Sequence, residues 1–88
     1  MVLVTGTVVL PPLREHNDDG EPVTVILVSF TAPDKRARCG EACCEVEVLD
    51  EIADPHRENL RPGRRLSVQG ELTGADGIWA TAILSRWR

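Results

Sequence analysis

The residues whose type suits them to chemistry are cationic, and they come in short groups. Lys35, Arg36 and Arg38 fall close together, Arg14 follows a Pro-Pro-Leu, and Arg61, Arg64 and Arg65 bracket a Pro-Gly. Guanidinium and ammonium groups gathered on loops suit phosphate oxygens, through charge-assisted hydrogen bonds that Arg can make in pairs. Holding a nucleic-acid strand takes flat π faces as well, on which bases stack. The chain offers only Phe30, Trp79 and Trp87. Phe30 and Trp79 are the stacking candidates, with packing in the core as the competing use of each. The basic groups have a blander use too, since solvated charges keep loops and sheet edges soluble. Arg14, Lys35, Arg36, Arg38 and Arg64 are the ones assigned to phosphate.

Other chemistries find less support. Cys39, Cys43 and Cys44 form a C-x3-C-C pattern, with His16 and His56 far off in sequence. A structural zinc site needs four ligands, usually from paired C-x2-C units. Adjacent Cys43 and Cys44 would point to opposite faces of a strand, so the pattern reads as a small buried hydrophobe and free thiols. No nucleophile has a base beside it, and no Gly-rich phosphate loop is present. Asp18/Asp19 and Glu45/Glu47 read as turn and solvated-face residues. The expectation is a binding protein, not an enzyme, with no cofactor and no metal.

Composition narrows the partner. Eighty-eight residues make one domain, 1–88, whose core is modest because so short a chain buries only about 60% of its unfolded surface. Association into a homodimer would add stability. The net charge of −4 and pI near 5.0 argue against a duplex-binding or membrane-surface domain, which are usually basic. Any nucleic-acid contact must come from a local patch. No apolar run approaches the ~20 residues that span a bilayer. The start lacks the basic residues of a secretory leader, and three cysteines, an odd number, suit a reducing compartment. A cytoplasmic location is expected.

These groups must be positioned by strands. Met1–Leu10 is rich in Val and Thr, and Gly6 within it predicts a bend. Pro11 and Pro12 end that strand. Leu13–Glu21 reads as a polar loop with a turn at Asp19-Gly20. Residues 23–32 are apolar on nearly both faces, which predicts a long central strand. Pro33–Ala42 reads as a loop carrying the first basic group. Cys43–Leu49 alternates, with Cys44, Val46 and Val48 on one side and an acidic outer face on the other. Asp50 is a plausible N-cap for one or two helical turns before Leu60. Arg64–Thr73 should place Leu66, Val68, Gly70 and Leu72 inward. After a turn at 74–77, the last strand should put Ile78, Ala80, Ala82 and Leu84 on one face, and Trp79, Thr81, Ile83 and Trp87 on the other. Three strands, a short helix and a two-stranded hairpin describe an all-β fold. The order predicts a five-stranded OB-fold Greek-key barrel with a short helix between strands 3 and 4, and the runner-up is an SH3-like barrel, which would lack the helix.

At this point the sequence resembles a family. LVTGTVVLPPLR, the turn DDGEP, the strand VTVILVSF, the run EVEVLDEIAD and the strand LRPGRRLSVQGELTG look like successive pieces of bacterial single-stranded DNA-binding proteins. In places they are closer to primosomal replication protein N, a compact dimeric relative. The resemblance implies an OB fold that binds single-stranded DNA (or RNA) without sequence selectivity. It further implies a homodimer, a context of DNA replication, repair or recombination, and a replication-protein partner. Cys43 falls where the family typically carries a Trp, and Glu45 at or near a basic position, so weak binding is expected. The alternative is an OB module that has lost nucleic-acid binding and takes a protein partner.

Overall fold

A computed structural model describes residues 1–31, 41–73 and 77–84, the side chains of Phe30, Thr31, Glu41 and Ala42 excepted. Lys35, Arg36, Arg38, Cys39 and Trp87 lie outside the described residues. Among the described residues, six strands form one sheet: β1 Val2–Val8, β2 Leu13–His16, β3 Pro22–Thr31, β4 Glu41–Leu49, β5 Arg65–Thr73 and β6 Gly77–Leu84. Between β4 and β5, α1 (Asp50–Ala53) runs directly into a 3₁₀ helix, Asp54–Leu60. The strand order is β1-β5-β6-β4-β3-β2, and β1 pairs with β3 as well, so the sheet closes into a barrel. The β4–β6 pairing is parallel.

Closure depends on Gly6. β1 pairs with β5 from Val2 to Thr7 and with β3 at Thr7 and Val8. A Cβ on Gly6 would overlap the Ser29 carbonyl oxygen and Val28 Cγ1. The glycine expected to bend this strand is thus a place where two backbones approach closely.

β-branched residues dominate the interior, as suits strands that pack on a pleated surface. β3 turns Ile26 and Val28 inward, and β4 turns Cys44, Val46 and Val48 inward, while Cys43 and Glu45 are exposed. That is the alternation expected of residues 43–49. The helical segment adds Ala53 and Leu60, neither with any exposure. Burying the Leu60 side chain alone contributes about 2 kcal/mol.

Four details depart from expectation. The polar stretch after Pro12 is not all loop. Leu13–His16 forms β2, antiparallel to β3, with His16 opposite Pro22 and Leu13 opposite Val25. All four of its residues are exposed, so this edge strand has no apolar alternation to betray it. Its turn is built on Asn17, whose Oδ1 accepts from the backbone N–H of Asp19 (3.0 Å) and of Glu21 (2.9 Å). Gly20 completes the turn at φ +83°, a conformation that favours glycine.

In β6 the pairing skips Thr81, because Gln69 faces Ala82 and Gly70 faces Ala80. This bulge reverses the alternation, so Ile83 enters the core and Leu84 turns out to solvent. Leu72 lies opposite Ile78, on the inward face, yet is 65% exposed. β1 ends at Val2, opposite Gly70, so β5 runs on past the wall that would cover Leu72. Lastly, Asp50 does not cap α1. Leu49 is the N-cap residue, with no side-chain cap bond.

Candidate functional site

The Asp50 carboxylate serves a side-chain network instead. Arg14 on β2 stands opposite Thr24 on β3. Its Nη1 donates to Asp50 Oδ2 at 3.1 Å, and its Nη2 is 4.0 Å from Asp54 Oδ1. Arg57 lies 2.9 Å from Asp54 Oδ1 and 3.6 Å from Asp50 Oδ1. The Thr24 hydroxyl, fully buried, donates to Asp50 Oδ1 at 2.6 Å and accepts from Arg57 Nη2 at 2.9 Å. Two guanidiniums and two carboxylates thus match each other across β2, β3 and the helical segment. The reading of separate residues missed this cluster. The spacing of Asp50, Asp54 and Arg57, at three and four residues on a helix, is the signal that points to it.

The outer wall carries a different set. A groove of about 530 Å³ is lined by Leu27, Cys43, Glu45, Glu47, Thr73 and Gly77. β3 and β4 supply its floor, with Leu27 opposite Glu45 and Ser29 opposite Cys43. The end of the β5–β6 hairpin supplies its flank, since Gly77 pairs with Glu45 and with Thr73. Trp79 is half-buried on the same wall. It stands beside Glu47 of β4 on one side and Glu71 of β5 on the other. Cys43 is an exposed free thiol in the groove and Cys44 is buried on the opposite face of β4.

The remaining described arginines gather at one turn. Arg61, Arg64 and Arg65 are exposed, and no carboxylate among the described residues pairs with them. Of the residues assigned to phosphate, the structure therefore places Arg14 in the aspartate network and Arg64 in this uncommitted turn. Trp79 stands on the groove wall. Phe30 pairs through its backbone with Ala42, in the β3–β4 ladder that forms the groove floor.

This architecture superposes on solved structures. The small single-stranded DNA-binding protein from Streptomyces coelicolor superposes with a TM-score of 0.78, covering 97% of this chain and 90% of that one at 21% identity. The chain has the OB fold. The SSB domain of a protein from Synechococcus sp. gives a TM-score of 0.74 at 19% identity, over 93% of this chain and 90% of that one. The Plasmodium falciparum SSB complex with ssDNA gives 0.59 at 23% identity, over 80% of this chain and 66% of that one. No family model and no curated protein matches the sequence. The resemblance carried by the first strand, the DDGEP turn and the LSVQGELTG strand thus holds at the level of fold. In OB barrels, the face of the second and third barrel strands and the loops flanking it take oligonucleotides and oligosaccharides. Here those strands are β3 and β4, and the 530 Å³ groove lies on them.

Proposed function

We propose that this protein binds single-stranded DNA, with RNA as the alternative ligand, in the β3–β4 groove, weakly and without sequence selectivity. The observation that carries the reading is the position of the groove. It lies on the strand face and hairpin flank that OB barrels use, and a protein of the same fold has been solved in complex with ssDNA. Lys35, Arg36, Arg38 and Arg64 neutralise phosphates. Arg14 adds less, because Asp50 and Asp54 already match its charge. Trp79 and Phe30 offer stacking faces. The protein acts by binding rather than catalysis. It is cytoplasmic, forms a homodimer and serves replication, repair or recombination beside a replication-protein partner.

The test is a titration of a labelled oligothymidine of about 30 nucleotides, enough for two OB folds at roughly 4–16 nucleotides each. Saturable binding is expected, weakening with salt by a log–log slope of about −0.7 for each phosphate neutralised. Absence of binding at low salt would rule the reading out.

One observation favours a second reading. Glu45, Glu47 and Glu71 share the groove wall with Trp79, and carboxylates there repel phosphate. An OB module that takes a protein partner in place of nucleic acid fits that wall. It predicts no oligonucleotide binding at any salt.

A further inference from the structure

We infer that the bound strand leaves the groove over the seam where β1 closes the barrel, with its phosphates neutralised by the Arg61–Arg65 turn. The inference rests on the nucleic-acid reading above and names a track that the groove alone does not define.

Three observations converge on the seam. The first is charge. Arg14 and Arg57 are matched by Asp50 and Asp54, whereas Arg61, Arg64 and Arg65 are the described arginines without a carboxylate partner among the described residues. The alternative way out of the groove, across β6 and β5, passes Glu47 and Glu71 on either side of Trp79.

The second is preorganisation. The turn is fastened to β1 by backbone bonds from Gly63 N–H to the Val8 carbonyl (2.8 Å) and from Val8 N–H to the Arg64 carbonyl (2.9 Å). Arg64 N–H closes it on the Arg61 carbonyl at 3.1 Å. Three guanidiniums are thus carried on a fixed backbone, which lowers the ordering cost of contacting an anion.

The third is continuity. Arg65 pairs with Thr7, Thr7 with Ser29, and Ser29 with Cys43. One row therefore runs around the barrel from the groove to the arginine turn, three strand spacings or about 14 Å long. It carries no acidic residue. The hydroxyls of Thr7 and Ser29 have no partner among the described residues, unlike the neighbouring Thr5 and Ser67, which bond each other at 2.8 Å. Thr7 and Ser29 donate to the phosphates between the groove and the turn.

The experiment compares two oligothymidines, of about 8 nucleotides, which one OB groove accommodates, and about 30, which must leave it. Each is titrated across a salt series against the unaltered chain and the R61Q/R65Q variant, which keeps Arg64. Circular dichroism and sedimentation confirm that fold and oligomeric state are kept. The long strand should lose affinity, and its log–log salt slope should shrink by about 1.4, at about 0.7 for each of two phosphate contacts. The short strand should bind as before. The T7V/S29A variant, which alters no charge, should weaken the long strand without changing the slope. Equal loss on both lengths, or no loss on either, would overturn the seam while leaving groove binding in place. Failure of the unaltered chain to bind either strand would overturn the groove reading, and the seam with it.

Discussion

Trp79 is the half-buried aromatic of the groove wall, and Glu47 and Glu71 stand on either side of it. A base stacked on an aromatic face gains about 1–3 kcal/mol, while the phosphates beside it would meet two carboxylates. Opposed effects of this kind can be separated by substitution. Trp79→Ala should weaken oligothymidine binding about tenfold or more, given that stacking energy. The pair Glu47→Gln and Glu71→Gln should tighten it. A unit-charge interaction in water at 4 Å is about 1 kcal/mol, so roughly fivefold for each carboxylate is expected at low salt. The gain should fade as salt shortens the screening length to about 10 Å at 0.1 M. The same fluorescence titration reads both results, and unchanged affinity in Trp79→Ala would move stacking away from this wall. Thr24 is a residue-scale feature of another kind, a buried hydroxyl that serves Asp50 and Arg57 together. Thr24→Val leaves both charged groups one partner short and should cost about 1–2 kcal/mol. A thermal melt should show it as a fall of roughly 4–8 °C per kcal/mol. Which residues face outward was legible in the sequence for β4. That Arg14 is already matched was not, because its partners come from segments 36 and 40 residues away.

At the scale of elements, the strands that alternate in sequence are the ones that alternate in space. β4 shows cysteine and valine inward with glutamate outward, and β3 is long, central and apolar on nearly both faces, as read. The helical segment also falls between the expected strands. Elements escaped the reading where packing does not set the pattern. β2 is held by backbone bonds to β3 and by the Asn17 turn, with no buried side chain of its own. The bulge at Thr81 comes from register between two strands, which neither strand's sequence records. Gly6 was legible as a bend, but its partner strand was not. The closure it permits can be tested directly. Gly6→Ala places a methyl against the Ser29 carbonyl and Val28 Cγ1. Overpacking of this kind costs about 1–3 kcal/mol, and here the obstacle is backbone, which yields less easily than a side chain. Denaturant unfolding should show a lower midpoint, and a midpoint equal to that of the unaltered chain would mean that β1 and β3 separate without cost.

For the whole molecule, the modest core and the charge pattern bear on assembly. An 88-residue chain keeps a large share of its surface in water, and one side of this barrel exposes large apolar side chains. Leu3 is 63% exposed and Leu84 42%. Register puts both on the outer face of β1, β5 and β6, Leu3 beside Gln69 and Ala82, and Leu84 beside Ser67 and Thr5. The bulge at Thr81 is what turns Leu84 outward to join Leu3. Among the described residues, the same face holds no carboxylate or guanidinium between the two leucines, so two copies could meet there without desolvating charge. The homodimer proposed from the family resemblance therefore has a surface it can use. Leu3→Glu with Leu84→Glu should convert a dimer into a monomer in sedimentation, and should remove the dependence of melting temperature on protein concentration. It should also separate two contributions to binding. A dimer holds one long strand in two grooves, and the second engagement is intramolecular. The monomeric variant should lose affinity for an oligothymidine of about 30 nucleotides and keep it for one of about 8, the size of a single OB site. A variant that stays dimeric would place the interface on another face. A variant that becomes monomeric yet binds the long strand unchanged would mean that one barrel holds the strand alone.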